Sequence, residues 1–492
     1  MSQFVVRLAE PAPSSPTMVA NRINQSSSRL LKTTDDDRQL SRDLTDLFST
    51  LIVSLLPLEA RRVRFSKVEN TFLAEDATHN LGNLKLLQSN TMPDPTDPSR
   101  TVVSTSTTIF SMSRTMACNQ CQRFVDAHYM ESADGKHEPD FRVKGVWKLT
   151  SKGITILNWF CAKNGIEHEQ VQDLIGFISN PLIILERDTA TDKLLLHQGT
   201  IEVIFRRLIG GGGRGMKAGA NDYKSITGTE RKVNGRTYVD TYSGQSIADW
   251  LLDHATTMDL REAVDVASLF VHYDIIQPIV HDQVCMSQDP RYKLFQPTQQ
   301  AVYTLSQHGQ DLVENSSSGR TSSEGNSQHS KHSTTDSNSQ RLEKILADPT
   351  LRLLFREGLQ ETHCEENLAF YQEAEEFVRQ CKAASATQTP TDKASIEVAK
   401  ELLAQSYIIF NTFLAPGSPR ELNLNHQLRK TLADQMTSAQ SRDATIVDTL
   451  QEVTALFESA RNSVFKLMAS DSVPKFINSP KAEYQLAQAG VR

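Results

Sequence analysis

The chain has 492 residues, 38% hydrophobic and 23% charged, with a formal net charge of −7. At roughly 150 residues per domain the length suggests about three domains, and the net acidity argues against a surface devoted wholly to nucleic acid. Six scattered cysteines (Cys118, Cys121, Cys161, Cys285, Cys364 and Cys381) make no disulfide framework and fit a reducing compartment.

Residues 1–34 are rich in Ser, Pro and Asn without periodicity and read as a disordered tail. Met1-Ser2-Gln3-Phe4 has neither a basic leader nor a myristoylation glycine, and the C-terminal Ala-Gly-Val-Arg has no prenylation cysteine. The apolar run Leu47 to Leu58 is interrupted and far short of the roughly twenty residues that a spanning helix needs. A soluble, cytoplasmic protein with at most peripheral membrane contact is expected.

Ordered sequence begins at Asp35. Leu40, Leu44, Leu47, Phe48, Leu51 and Ile52 recur at helical spacing behind an acidic cluster that complements a helix dipole. Three closely spaced prolines, Pro93, Pro95 and Pro98, predict a loop over 92–98. From Arg206 to Arg236 a glycine cluster accompanies Arg206, Arg207, Arg214, Lys217, Lys224, Arg231, Lys232 and Arg236, against only Asp222 and Glu230. This predicts a flexible basic loop. Its glycines are out of step with a phosphate-binding loop, since Lys217 follows Met216 and Ala218 is not Ser or Thr.

Ser243 caps a helix with Ile247, Ala248, Trp250, Leu251 and Leu252 inward, and Asp259 precedes another with Ala263, Val266, Ala267 and Phe270 inward. Ile275, Ile276 and Ile279 then read as a strand, so 198–312 fits a winged-helix-like module of three helices and a β-wing. An internal repeat connects it to 35–175. Phe124-Val125, His128-Tyr129, Trp147 to Thr150 and Gly153 parallel Phe270-Val271, His272-Tyr273, Tyr303 to Ser306 and Gly309. Two related units are the simplest account, with chance the alternative because the spacing differs by ten residues.

From Glu314 to Gln340 thirteen of 27 residues are Ser or Thr and none is a large apolar residue, which predicts a linker over 313–340. Beyond it the pattern is purely helical. Asp348-Pro349 supplies an N-cap and an N1 proline, and apolar stripes follow through Phe377, Phe413, Phe457 and Phe465. The fold class expected is therefore multidomain and mainly α, two winged-helix-like α+β units followed by an all-α bundle.

Three stretches of that bundle carry a resemblance. His363-Cys364-Glu365-Glu366-Asn367-Leu368-Ala369-Phe370-Tyr371, then Arg420-Glu421-Leu422-Asn423-Leu424, then Phe465 to Phe476 resemble the three signature segments of the RGS domain. The match spans 341–482. Ala248-Asp249-Trp250-Leu251-Leu252 makes 198–312 similar to a DEP domain, with 35–175 a divergent DEP-like unit. The whole resembles fungal RGS regulators that restrain G-protein signalling in growth, sporulation and mating. The resemblance implies a bundle that grips the switch segments of a GTP-bound heterotrimeric G-protein α subunit and accelerates its GTP hydrolysis. It places Glu366 and Asn367 at a first corner, Asn423 at a second, and Leu467, Asp471, Ser472 and Lys475 at a third. It implies no cofactor and no metal, and the α subunit supplies its own arginine. Asn425 stands where many members carry an acid, Tyr371 where many carry Trp, and Lys475 where many carry Arg.

Cys118 and Cys121 have zinc spacing without a second pair, so they read as two thiols on a helix face. Trp250 reads as a core anchor. Arg231, Lys232 and Arg236 are candidate contacts for an anionic membrane or a receptor tail, against the alternative of a solvated loop. The rival functions are a scaffold that binds without accelerating hydrolysis and a winged-helix DNA binder. The helix before the wing speaks against the second, because Arg261 and His272 are offset by Glu262 and Asp265 without a lysine. No nucleophile of the chain's own is evident.

Overall fold

The computed structural model describes all residues except 1–2, 9–37, 94–100, 111, 136–139, 179–180, 211–223, 318–336, 388–392, 416–417, 419, 425–426, 432–433, 435–445, 480–481 and 490–492. The first unit contains α1 (Ser41–Leu55), β2 (Glu59–Val63), β3 (Ser66–Leu73), α2 (Ala74–Gly82), α3 (Arg114–Asp126), β6 (Met130–Ser132), β7 (Val146–Leu149), α4 (Ser151–Asn164) and α5 (Glu169–Ile175). Between α2 and α3 lies a hairpin of β4 (Leu84–Pro93) and β5 (Thr101–Phe110), which β1 (Gln3–Leu8) extends to three strands. Two expectations change here. Residues 3–8 of the supposed tail form a strand, and β4 runs through Met92 and Pro93 before the undescribed 94–100. Proline removes one backbone donor, a loss that the end of a strand tolerates.

The second unit contains α6 (Gln198–Ile209), β8 (Thr229–Val233), β9 (Arg236–Ser243), α7 (Gly244–His254), α8 (Leu260–His272), β10 (Ile276–Val280), α9 (Gln283–Gln288), β11 (Val302–Leu305) and α10 (Gln307–Ser317). Its sheet runs β10-β11-β9-β8, and the first unit's runs β6-β7-β3-β2, all antiparallel. The repeat is thus structural, with one anchor corrected: His128-Tyr129 corresponds to Asp274-Ile275 and not to His272-Tyr273, since Tyr129 and Ile275 donate alike to the Phe124 and Phe270 carbonyls. Thr150 and Ser306 both cap the helix after the last strand, each accepting at 3.0 Å from Gly153 or Gly309. Both glycines are dictated by close approach, because a Cβ would lie 1.9 Å from the Tyr129 carbonyl oxygen or 2.1 Å from that of Ile275.

The basic stretch is more ordered than its composition suggests. Arg206 and Arg207 close α6, paired with Glu202 and Glu357. Arg231, Lys232 and Arg236 sit on the β8–β9 hairpin, turned by Asn234 and Gly235 with φ of 51° and 79°. That is the conformation that favours Asn-Gly in a two-residue turn. Lys217 and the glycines from 211 to 219 lie outside the described residues. The linker also narrows, because α10 continues to Ser317 and Ser337 caps the next helix. Trp250 is buried and donates to the Lys224 carbonyl at 2.6 Å. Cys121 is buried on α3, and burial raises its thiol pKa.

The bundle comprises α11 (Asn338–Ala347), α12 (Pro349–Glu361), α13 (Glu365–Thr387), α14 (Lys393–Ile409), α15 (Ile446–Leu467), α16 (Val473–Ile477) and α17 (Glu483–Gln488), besides short unlabelled turns. Asp348 caps α12, accepting from Thr350 and Leu351, with Pro349 at N1. The units are not beads on a string. Second unit and bundle share one apolar core, and α6 lies against α12 so closely that a Cβ on Gly199 would sit 2.7 Å from Thr350 Oγ1. The connector after α5 is bound to both neighbours. Arg187 bridges to Glu262 of α8 at 2.6 Å, while Glu186 accepts from Arg352 of α12 at 2.8 Å and faces Arg356 at 3.6 Å.

The two winged-helix units meet at Lys152, whose Nζ donates to the carbonyls of Leu252 and Thr257 at 2.7 and 2.6 Å. Burial pushes its pKa down to about 7, outweighing the opposite pull of Asp253 and Glu262. The unfolded chain holds that proton more tightly, so protonation favours unfolding and stability rises as pH climbs from about 7 toward the ordinary lysine range near 10. Urea midpoints of the wild type are expected to rise between pH 7 and 9. Lys152→Met should lower the midpoint at every pH, by orphaning two carbonyls, and flatten the rise. A rise equally steep in the variant would place the titration elsewhere.

Candidate functional site

The three corner segments gather at one end of the bundle. The first corner is the turn between α12 and α13, where His363 takes a left-handed φ of 53°. Asn367 is buried one turn into α13 and donates from Nδ2 to the Cys364 carbonyl at 3.2 Å and to Glu366 Oε1 at 3.4 Å. Its own Oδ1 is buried without a hydrogen-bond partner among the described residues. Partial burial raises the Glu366 carboxyl pKa, opposed by its own backbone N–H and by Arg420 and His363. Glu366 therefore already feels the second corner.

That second corner follows a π-helical turn over Phe410–Leu414. Leu422 and Leu424 point inward and leave Asn423 exposed between them. The Leu422 N–H donates to the Phe413 carbonyl at 2.9 Å, and Arg429 reaches back to Glu421 and the Leu422 carbonyl. The backbone beside Asn423 is thus held from both directions. Arg420 lies over the Phe413 ring at 5.3 Å. Arg420 and His363 fall within the signature stretches, but their part in shaping Glu366 shows only in three dimensions. Arg429 carries no sequence signal at all. Asn425 lies outside the described residues.

A second π-helical turn, Met468–Ser472, makes the third corner between α15 and α16. Such turns displace the following residues around the helix axis and recur at functional sites. Asp471 is exposed and pairs with Lys475 at 2.9 Å. That bond raises the Lys475 pKa, and a Cβ on Gly358 would lie 3.6 Å from the Phe476 ring, so the third corner adjoins the end of α12 that leads into the first. Leu467 is half-buried, whereas Ser472 is buried and has little surface to offer a partner.

Aromatic pairs fix the spacing of these corners. Phe370, just after Asn367, meets Phe413 at 5.7 Å, and Phe476, just after Lys475, meets Phe355 at 5.2 Å. Tyr371 packs on Phe465 at 6.0 Å as a core residue. The resulting face offers short polar groups, Asn423 and Asp471 above all, on a braced frame. Among the described residues no cluster of His, Cys, Asp and Glu has the makings of a metal site.

Known proteins resemble the chain in the same three parts. Residues 341–483 match the regulator of G protein signaling domain, and 225–305 match the domain found in Dishevelled, Egl-10 and Pleckstrin (DEP). Residues 43–176 match a fungal-differentiation regulator winged helix domain, which corrects the expectation of a second DEP unit. The sheet order is common to both units, but the inserted β4–β5 hairpin belongs to the first alone. Fold and matches define a regulator of G-protein signalling preceded by two winged-helix units.

The developmental regulator flbA of Emericella nidulans is 44% identical over 503 residues, covering 97% of this chain and 68% of that protein. Regulator of G-protein signaling 1 of Schizosaccharomyces pombe is 28% identical over 467 residues, 92% of each chain. Regulator of G-protein signaling 20 of Bos taurus is 28% identical over 140 residues, 28% of this chain and 30% of that one. The chain belongs to the family of fungal DEP–RGS developmental regulators.

The corners differ in what they contribute to stability. Asn423→Ala and Asp471→Ala remove exposed groups and should change unfolding free energy by no more than about 0.5 kcal/mol. Asn367→Ala removes a buried amide bonded to the turn and should cost roughly 1 kcal/mol or more. Urea titrations of the three variants check this ordering, and equal losses would contradict it.

Proposed function

We propose that the corner face grips the switch segments of a GTP-bound heterotrimeric G-protein α subunit and accelerates its GTP hydrolysis. The convergence of three polar corners on one rigid end carries this reading. Asn423 hydrogen-bonds beside the glutamine that orients the attacking water. Asp471 accepts from a switch-loop backbone N–H and holds that loop in its transition-state shape. Glu366, Leu467 and Lys475 extend the grip, while the buried Asn367 and Ser472 hold the corner backbone beneath it. Short groups suit this task because they add little flexibility to what they hold, and each tenfold acceleration needs only about 1.4 kcal/mol of preferential transition-state binding. The outcome is attenuated signalling in growth, sporulation or mating.

Single-turnover GTP hydrolysis by candidate α subunits, with and without the chain, tests the reading. Asn423→Ala and Asp471→Ala should each reduce the acceleration more than roughly tenfold, equivalent to about 1.4 kcal/mol. Binding without acceleration would leave a scaffold role instead.

The second unit, in this proposal, brings the bundle to the membrane where the α subunit is anchored. The basis is the hairpin itself, which holds Arg231, Lys232 and Arg236 on an ordered arm with Val239 exposed beside them. At an anionic leaflet each basic group contributes up to about 1 kcal/mol, less with salt. Changing the three to Glu should release the chain from anionic vesicles or receptor-bearing membranes without altering acceleration in solution. Wild-type pelleting by that variant with both kinds of membrane would refute the hairpin's role.

A further inference from the structure

A cleft of about 830 Å3 separates the first winged-helix unit from the bundle, beside the corner face. Its floor is the connector at Leu185 and Arg187, one wall is formed by α1 and α4, and the other by α12, the start of α13 and Arg420. Glu366 belongs to both the cleft and the first corner, so whatever sits on the corners reaches the cleft without a break. The volume admits a segment of polypeptide, and cavities of several hundred Å3 are the usual size of binding sites.

The lining indicates the chemistry of the occupant. Ser49 Oγ, Arg356 Nη1 and Glu365 Oε2 all belong to cleft-lining residues, and each is buried without a hydrogen-bond partner among the described residues. They comprise a hydroxyl, a donor and an acceptor, and buried polar atoms are normally satisfied. A polypeptide supplies complementary N–H and C=O groups. Inorganic phosphate presents mainly acceptors and matches only the donors of that set, whereas a peptide also brings N–H groups for the Glu365 oxygen.

The winged-helix wall adds a sign. Arg42 and Lys163 flank Asp46, and burial raises that carboxyl's pKa despite both cations. Two cations against one carboxylate make this wall positive, opposite Glu365, Glu366 and Glu421, so acidic groups of an occupant turn toward α1 and α4. Trp159 stands beside them and offers the broad amphipathic ring that protein interfaces favour.

We propose that the cleft seats an acidic polypeptide segment of the α subunit next to its switch loops, making the first winged-helix unit the second half of the docking surface. The proposal rests on the corner-docking function above and adds a contact outside the RGS bundle. Arg42 and Lys163 act on affinity and approach, not on the hydrolytic step, because they line the cleft and Asn423 and Asp471 do not.

The test uses the full chain, titrated against the GTP-loaded α subunit that the wild type accelerates best. Reversing both charges, Arg42→Glu with Lys163→Glu, should raise the half-saturating concentration of the chain roughly fivefold or more. The maximal rate should stay unchanged, and the difference should shrink at high salt. Lys163→Ala, a milder surface change, should move the same way by less, and thermal melts confirm that each variant is folded. An unchanged half-saturating concentration in a folded variant overturns the proposal, and so does a lowered one, which would make the winged-helix wall an obstruction. A wild type inert toward every α subunit would instead bring down the corner-docking function, and this inference with it.

Discussion

Two adjacent side chains of opposite sign, Glu186 and Arg187, tie the connector to the bundle on one side and to the second unit on the other. Arg187 turns toward Glu262 of the second unit, which also receives Arg38 from the segment entering α1, at 2.9 Å. Glu186 turns the other way to Arg352 and Arg356 of the bundle. These groups are largely withdrawn from water, so removing one partner leaves a buried charge uncompensated, a costlier change than losing a surface pair. Arg356 illustrates the balance, since burial lowers its pKa and Glu186 opposes that shift. With those ion pairs in place, α6 rests on α12 and a single apolar core continues from one unit into the next.

The same economy operates at the corners. The exposed polar groups, Asn423 and Asp471, contribute little to folding, and the groups that brace them lie behind the face. Phe370 with Phe413 and Phe355 with Phe476 are structural pillars, while the two π-helical turns set the angle at which the chain leaves them. Arg429 braces the backbone next to Asn423 without belonging to any signature stretch. A face built this way is organised before a partner arrives, which is where the advantage of a rigid site lies.

Much of the architecture is legible locally. Helix starts at Ser243, Asp259 and Asp348-Pro349 follow from capping chemistry that needs only neighbouring residues. The three signature stretches identify the ends of the bundle that converge. What escapes depends on distant partners. Asn234-Gly235 is a hairpin signal that the surrounding glycines and charges obscure, and its counterpart at Arg64 and Phe65 has no such dipeptide. Strand β1 becomes visible only through β4, some eighty residues on. The connector lacks periodicity altogether, because Arg187 and Glu186 find their partners 75 and 166 positions away. Both π-helical turns break the 3.6-residue rhythm from which the helices are read.

A shared core also transmits direction. Domains joined by slack chain keep their rotational freedom after one of them is anchored, so anchoring raises the local concentration of the others without aiming them. Here the β8–β9 hairpin and the corner loops belong to units packed through α6, α8 and α12. Were the hairpin fixed in a plane, the heading of the corners relative to that plane would be fixed with it. An encounter with a partner confined to the same surface then becomes a search in two dimensions with the angle already chosen.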